Sequence, residues 1–140
     1  MSIIDEEILE NQSLEWFKEL NYQYKNGYEI SPEGKSPERD DFKQVILEKR
    51  LRSAMSRINP DIPTQKISNS ITQILNPNIP DLFNCNRQIH SWLTKGLKIT
   101  YMKDDQEIGY QLKLIDFNNL ENNDFLIVNQ FDVKGDKRLR

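Results

Sequence analysis

The two residue types that most often carry chemistry, cysteine and histidine, occur once each in this chain, as Cys85 and His90. One cysteine excludes an internal disulfide, and one cysteine with one histidine cannot make a Cys/His zinc site within the chain. No serine or cysteine partner accompanies His90, so we expect a packed or half-exposed residue, and Cys85 is expected to be a small buried hydrophobe. The remaining candidates for chemistry are carboxylates, lysines and arginines.

Bulk composition limits how such groups could act. The chain has 140 residues, which suits a single domain, and 36% of them are hydrophobic, so the core should be thin. Its 19 Lys and Arg against 22 Asp and Glu leave a net charge of −3, unlike a domain that holds nucleic acid by bulk charge. No apolar run is long enough to cross a membrane, and the segment Met1 to Glu7 is acidic where a signal peptide would be basic, so we expect a cytoplasmic protein.

Four segments have apolar residues at helical spacing. The opening helix carries Trp16 and Phe17, the second ends at Asn59-Pro60, and Gly96 is well placed to cap the fourth. A short strand at Tyr22 to Tyr24 and a turn-rich loop over residues 26–37 follow the first helix. The helices are expected at residues 5–20, at residues 41–58, from Pro63-Thr64 to Asn76-Pro77, and at residues 81–95.

From Leu97 onward the apolar residues alternate with polar ones, which is the spacing of β-strands. Three strands are expected, at residues 97–101, 110–114 and 125–133, joined by short polar connections. Such connections favour an antiparallel meander. The third strand is apolar on both faces, which suits a central strand better than an edge, so we expect an unpaired sheet edge and self-association through it.

Three segments, in this order along the chain, resemble the N-terminal region of the R (HsdR) subunit of type I restriction-modification enzymes. The first is the opening helix, over residues 10–24. The second runs from Arg39-Asp40-Asp41-Phe42 through a basic helix to Asn59-Pro60 and Pro63, and the third is the strand Asp124 to Phe131. The resemblance therefore covers nearly the whole chain. It implies an incomplete restriction-endonuclease-like fold, and a complete family enzyme that cuts DNA with Mg²⁺ and ATP.

Members of this family continue from such a third strand into a Pro-Asp strand and a Glu-x-Lys strand. Two carboxylates there hold Mg²⁺, and the lysine stabilises charge or orients the attacking water. This sequence stops before either motif. Pro60-Asp61 and Pro80-Asp81 are expected at helix boundaries, and Glu33-Gly34-Lys35 lies in the turn-rich loop, so none is a strand-mounted substitute. We expect no metal site and no cofactor within this chain alone.

In related nucleases the opening helix contributes a glutamate that faces the metal site, and by position Glu10 is the candidate catalytic residue. Leu14 and Phe17, four and seven residues further on, are apolar, so Glu10 could point inward. The alternative is that Glu10 is one of several surface acids in the first turns of the helix.

Two groups of basic residues could contact DNA phosphates. The basic face of the second helix is balanced by nearby acids and is expected to be a solvated surface. The C-terminal group is the better candidate for DNA binding, although a solvated chain end is the alternative. Its members are Lys134, Lys137, Arg138 and Arg140.

The sequence thus predicts an α/β chain in an α+β arrangement, with N-terminal helices followed by a three-strand antiparallel meander. By resemblance, residues 1–140 are the N-terminal part of a type I restriction R-subunit nuclease domain, inactive alone. Its partners would be DNA, bound weakly, and the modification and specificity subunits, with no membrane. The alternative is a non-enzymatic adaptor that docks on restriction subunits or DNA; an acidic mimic of DNA is disfavoured because −3 is too little charge.

Overall fold

The computed structural model describes residues 5–135, which form two compact units. The terminal unit combines residues 1–47 with residues 124–140, and the central unit is residues 48–123. Both contain helices and strands, so the expected α+β arrangement is confirmed. None of the helices in the described range is long and apolar enough to cross a membrane.

The terminal unit is built on helix α1, Glu6–Glu19, and on two short strands, β1, Gln23–Asn26, and β4, Leu126–Asn129. The Asp5 side chain caps α1 by accepting the Ile8 amide at 2.9 Å, as an aspartate at this position commonly does. The strands β1 and β4 pair in parallel, with Gln23 opposite Leu126 and Asn26 opposite Asn129. The two ends of the chain are therefore joined by main-chain hydrogen bonds.

The segment after β1 differs from the uniform loop expected over residues 26–37. It contains a one-turn helix, α2, Gly27–Ile30, whose start is capped by the Asn26 side chain at 2.8 Å from the Tyr28 amide. Ile30 is fully buried. The turns expected at residues 31–37 follow, and they include the Glu33-Gly34-Lys35 sequence.

The second long helix is shorter than predicted: α3 spans Glu48–Ile58, and residues 41–47 are not helical. The Asp41 carboxylate accepts the amides of Lys43 and Gln44 at 2.7 and 3.0 Å, which closes a local turn. The carbonyls of Phe42 and Gln44 accept hydrogen bonds from the Arg39 guanidinium, so they are not used in a helical ladder. Apolar spacing alone could not predict this competition.

Three α-helices, a hairpin and a short 3-10 helix, Leu120–Asn122, lie in the central unit. Helix α3 is followed by α4, Thr64–Leu75, and α5, Leu82–Lys95, and the hairpin consists of β2, Leu97–Lys103, and β3, Gln106–Leu112. The buried apolar residues lie at the expected helical and alternating positions. They include Met55, Ile58, Ile67, Ile71, Ile74, Trp92, Leu97 and Leu112.

The strand pairing shows that the predicted three-strand antiparallel meander is wrong. Only β2 and β3 form the antiparallel hairpin among the described residues, and the third strand pairs with β1 instead. After β3 the chain forms a loop in which the Asp116 carboxylate accepts the amides of Asn118 and Asn119 and the side-chain amide of Asn122. These hydrogen bonds, led by the Asn119 amide, lower the pKa of Asp116. The loop replaces the tight turn that a meander would need.

The last strand is also shorter than the expected residues 125–133. It ends at Asn129 because Gln130 adopts φ +53°, in the left-handed region, which stops an extended strand.

Asn59 joins the end of α3 to the end of β3. The side chain is 1% exposed. Its amide nitrogen donates to the carbonyls of Met55 and Lys113 at 2.9 and 2.8 Å, and its oxygen accepts from the Lys113 amide and the Tyr110 hydroxyl at 3.0 and 3.2 Å. Both donors and both acceptor sites of the side chain are used, so the Asn-Pro pair that ends the helix has a structural role beyond stopping it.

We predict that Asn59→Ala lowers the free energy of unfolding by about 2–3 kcal/mol, because it leaves buried main-chain groups without partners. Asn59→Asp should be similarly harmful, since a carboxylate cannot donate to the two carbonyls. Urea unfolding followed by circular dichroism measures both. Asn69→Ala is the control, because Asn69 is exposed and its side chain bonds, within residues 5–135, to Gln65 alone. Its change should stay within about 0.5 kcal/mol. Equal losses in Asn59→Ala and Asn69→Ala would contradict this role.

Candidate functional site

Glu10 lies on α1, one turn before the buried Leu14, and is itself half-buried. The Gln130 side-chain amide donates to both of its carboxylate oxygens, at 3.0 Å to Oε1 and 2.9 Å to Oε2. Glu10 is therefore directed at the end of β4, and its carboxylate is held by a residue from the other end of the chain.

Gln130 belongs to a group of polar side chains at the ends of β1 and β4. Its side-chain oxygen accepts the Tyr28 hydroxyl at 3.2 Å, while its amide donates to Glu10. The neighbouring Asn129 oxygen accepts the Tyr24 hydroxyl at 2.8 Å. These hydrogen bonds connect α1, β1, α2 and β4 around one carboxylate.

An open depression of about 590 Å³ lies over this group. Three glutamates face it, so its charge is negative, which suits a cation rather than a phosphate. Within residues 5–135 no three Asp, Glu, His or Cys side chains come together as a metal site would require. The depression is lined by Glu6, Glu7, Glu10, Asn11, Tyr28, Asn129 and Gln130.

Gly27 permits the close approach of the chain to the end of β4. A Cβ at this position would lie 2.2 Å from the Gln130 carbonyl oxygen and 2.5 Å from that of Asn129. Both are main-chain atoms that cannot turn away. A glycine is therefore required where α2 begins, next to the residues that hold Glu10.

Arg39 fixes the segment that follows Gln130. Its guanidinium is buried and donates to the carbonyls of Phe42, Gln44 and Asp132 at 2.8–2.9 Å, and it lies 4.0 Å from the centre of the Phe131 ring. Burial lowers the pKa of Arg39, and the charges of Asp132 and Asp41 oppose that shift. The arginine remains charged even when it is buried. The three carbonyl groups and the Phe131 ring therefore take the place of the water that would otherwise solvate the guanidinium.

Of the predicted DNA-binding residues, Lys134 is the one within the described range. Its amide donates to the Phe42 carbonyl at 2.9 Å, and its ammonium lies 4.5 Å from the Phe42 ring centre. Lys137, Arg138 and Arg140 lie outside the described residues. The C-terminal basic group therefore stays a prediction.

The sequences that match the Pro-Asp and Glu-x-Lys motifs by letter lie where they were expected, at helix boundaries and in the loop that follows α2. Gly34 closes a turn with its amide 3.0 Å from the Ser31 carbonyl, so Glu33 and Lys35 are not on a strand. Asp81 caps α5 by accepting the Phe83 amide, and Asp61 follows the end of α3. None of these residues lies at the Glu10 depression.

Sequence reasoning missed Gln130, Tyr28 and Arg39. A glutamine at a strand end and a tyrosine in a loop carry no local signal of a shared site. Arg39 could have been noticed as a cation beside Asp40 and Asp41 in a segment that resembles a family, but its three carbonyl partners depend on the fold.

The chain thus has a mixed α+β fold, with an acidic depression at the end of the parallel strand pair β1 and β4. The model of the family described as the type I restriction enzyme R protein N terminus matches residues 3–140, and the chain belongs to that family. The resemblance inferred from the sequence is therefore confirmed. No solved structure matches the chain.

Two relatives are named as endonuclease subunits of type I restriction enzymes. The MjaIXP subunit of Methanocaldococcus jannaschii is 34% identical over 131 residues, covering 91% of this chain and 12% of the relative. The HindI subunit of Haemophilus influenzae is 25% identical over 140 residues, covering 98% of this chain and 13% of the relative. The chain thus spans about an eighth of the length of these relatives.

We predict that Gly27→Ala destabilises the protein by about 1–3 kcal/mol, because the methyl group overlaps the main-chain oxygens of Asn129 and Gln130. Thermal unfolding followed by circular dichroism measures the loss. Gly109→Ala is the matched control, since a Cβ at Gly109 would meet nothing within 4 Å. Unchanged unfolding in Gly27→Ala would mean that the approach of α2 to β4 is not as close as described.

Proposed function

We propose that these residues are the N-terminal part of the nuclease domain of a type I restriction R subunit, and that Glu10 contributes one ligand to its metal site. The observation that carries the proposal is the Glu10 carboxylate, directed at the end of β4 and held there by Gln130. A restriction-endonuclease-like fold would continue from this end of β4. The names of the two relatives support the assignment to DNA restriction.

The donor set fits Mg²⁺ in part. Mg²⁺ is bound in such sites by one or two carboxylates with several waters, and Glu10 supplies one carboxylate beside the neutral oxygens of Asn129 and Gln130. When bound, the ion would polarise the phosphodiester and lower the pKa of an attacking water. Gln130 would orient the Glu10 carboxylate, and Tyr28 would orient Gln130. The other carboxylate and the lysine of the family motif would come from residues outside these 140.

The surface beside β4 suits a further strand. Among the described residues β4 pairs with β1 alone, so one edge of β4 has no strand beside it. A depression of about 500 Å³ borders β4, and Leu9, Leu14 and Ile127 line it together with polar residues. Leu9 is 57% exposed. We infer that a strand following β4 covers these apolar side chains, and that in its absence a second copy of the chain could pair there.

The complete enzyme would use Mg²⁺ and ATP and would act on DNA with its modification and specificity subunits. The 140 residues would provide neither the ATP-driven motor nor a complete cleavage site, and we expect them not to nick supercoiled plasmid in Mg²⁺ on their own. Weak DNA binding through the C-terminal basic residues, and a cytoplasmic location, stay predictions.

The direct test is cleavage by an assembled restriction complex whose R subunit carries this region. Glu10→Gln should reduce DNA cleavage by about 100-fold or more, because it removes a charged ligand from the ion, and should leave ATP hydrolysis unchanged. Glu7→Gln is the matched control, since Glu7 faces the same depression but is exposed and does not bond to Gln130. Its cleavage rate should stay within about twofold of the parent.

Three outcomes would contradict the proposal. Cleavage unaffected by Glu10→Gln would exclude Glu10 as a ligand. Metal-dependent nicking by the 140-residue chain alone, if lost in Glu10→Gln, would mean that the site is complete within these residues. A complex that assembles normally but never cleaves, with or without the substitution, would favour the adaptor hypothesis instead.

A further inference from the structure

We propose that one face of α5, centred on Arg87 and Lys95, binds the phosphate backbone of duplex DNA. The choice of DNA as the polyanion rests on the proposed function, whereas the location of the surface rests on the contacts and charges of α5. This surface belongs to the central unit and shares no lining residue with the Glu10 depression.

The shape of the surface is an open depression of about 730 Å³ along α5. An α-helix turns by 100° per residue, so the polar residues of α5 that line this depression, apart from His90, lie within an arc of about 120°. Arg87 and Lys95 are about 12 Å apart along the helix axis. Arg, Lys, Ser, Thr, Asn and Gln side chains are the types that contact DNA phosphates. The lining residues are Ile79, Asn84, Arg87, Gln88, His90, Ser91, Thr94 and Lys95.

The charges of this surface contrast with those of the whole chain. No carboxylate lines the depression, although 22 of the 140 residues are acidic. From Pro63 to Lys103 the sequence has five Lys and Arg against one acid, Asp81, whose carboxylate accepts the Phe83 amide and the Asn84 side chain. The central unit has ten Lys and Arg against eight acids, which gives it a net charge of +2. The other 64 residues therefore have a net charge of −5, and the whole chain has −3.

Arg87 and Lys95 of α5 differ from Arg52 and Arg57 of α3 in their contacts. Arg52 donates to Ser68 and Glu48, and Arg57 donates to the Asn122 carbonyl, so both hold the central unit together. Within the part of the chain that the structure describes, the Arg87 and Lys95 side chains form no hydrogen bond or ion pair. They are exposed and available for phosphates.

A second depression extends the surface. It has a volume of about 200 Å³, shares Thr94 and Lys95 with the first, and adds Lys113 and the exposed Phe117. Asp116 interacts electrostatically with Lys113, but its carboxylate is already occupied by the amides of Asn118 and Asn119. The two depressions together place three cations on a continuous surface, which is enough to follow several phosphates of one strand.

The test is fluorescence anisotropy of a labelled duplex of about 20 base pairs with the 140-residue chain, in EDTA and at four salt concentrations. Since each phosphate contact contributes about −0.9 to the slope of log K against log salt, R87A/K95A should make the slope about 1.8 less negative and weaken binding about tenfold or more at low salt. R87K/K95R should bind like the parent. K98A/K103A, which removes two exposed cations of the same unit from the hairpin, is the matched control and should change the slope by less than half as much.

Circular dichroism must show that each variant is folded before its binding is compared. An unchanged slope in R87A/K95A, or an equal effect of K98A/K103A, overturns the proposal, as does binding confined to single-stranded oligonucleotide or no binding by the parent at low salt. None of these results bears on Glu10, which is tested by cleavage. Conversely, loss of binding in R87A/K95A together with normal cleavage in Glu10→Gln would sustain this surface and refute the assigned metal ligand.

Discussion

The parallel pairing of β1 with β4 is the constraint on which the terminal unit depends. Parallel strands cannot be joined by a tight turn, so a long connection must separate them, and here the whole central unit occupies that connection. The pairing sets the end of β4 beside α1. Without it, Gln130 could not reach Glu10, and the acidic depression would not exist.

Two features maintain this arrangement at the ends of the strands. Gly27 lets α2 begin against the carbonyls of Asn129 and Gln130, where any side chain would overlap main-chain atoms. Arg39 binds carbonyls from both the 42–44 turn and Asp132, so the turn and the segment after β4 are held by one buried cation. A buried charge is strongly destabilising when it loses its partners. Arg39 should therefore favour this local conformation over others in which its guanidinium would lack these carbonyls.

The sequence predicted what local spacing and capping determine. Helices α1, α4 and α5 and strand β2 lie close to their expected positions, whereas β3 begins and ends earlier than the expected residues 110–114. The family was identified from residues 10–24, 39–63 and 124–131. It could not predict the start of α3 or the partner of β4, because both depend on groups distant in sequence, such as Arg39 and Asp132. For the site, Glu10 was a candidate by resemblance, whereas its hydrogen-bond partner Gln130 follows only from the parallel pairing.

Hydrogen exchange of the main-chain amides followed by NMR tests most directly whether β1 and β4 pair in the 140-residue chain. The Gln23 amide donates to the Phe125 carbonyl at 2.9 Å and should exchange as slowly as amides within α1. The β4 amides that bond to β1 should be protected by about 100-fold or more over an unstructured chain. Amides of β4 that exchange at the unstructured rate, while those of α1 and α4 remain protected, would contradict the account.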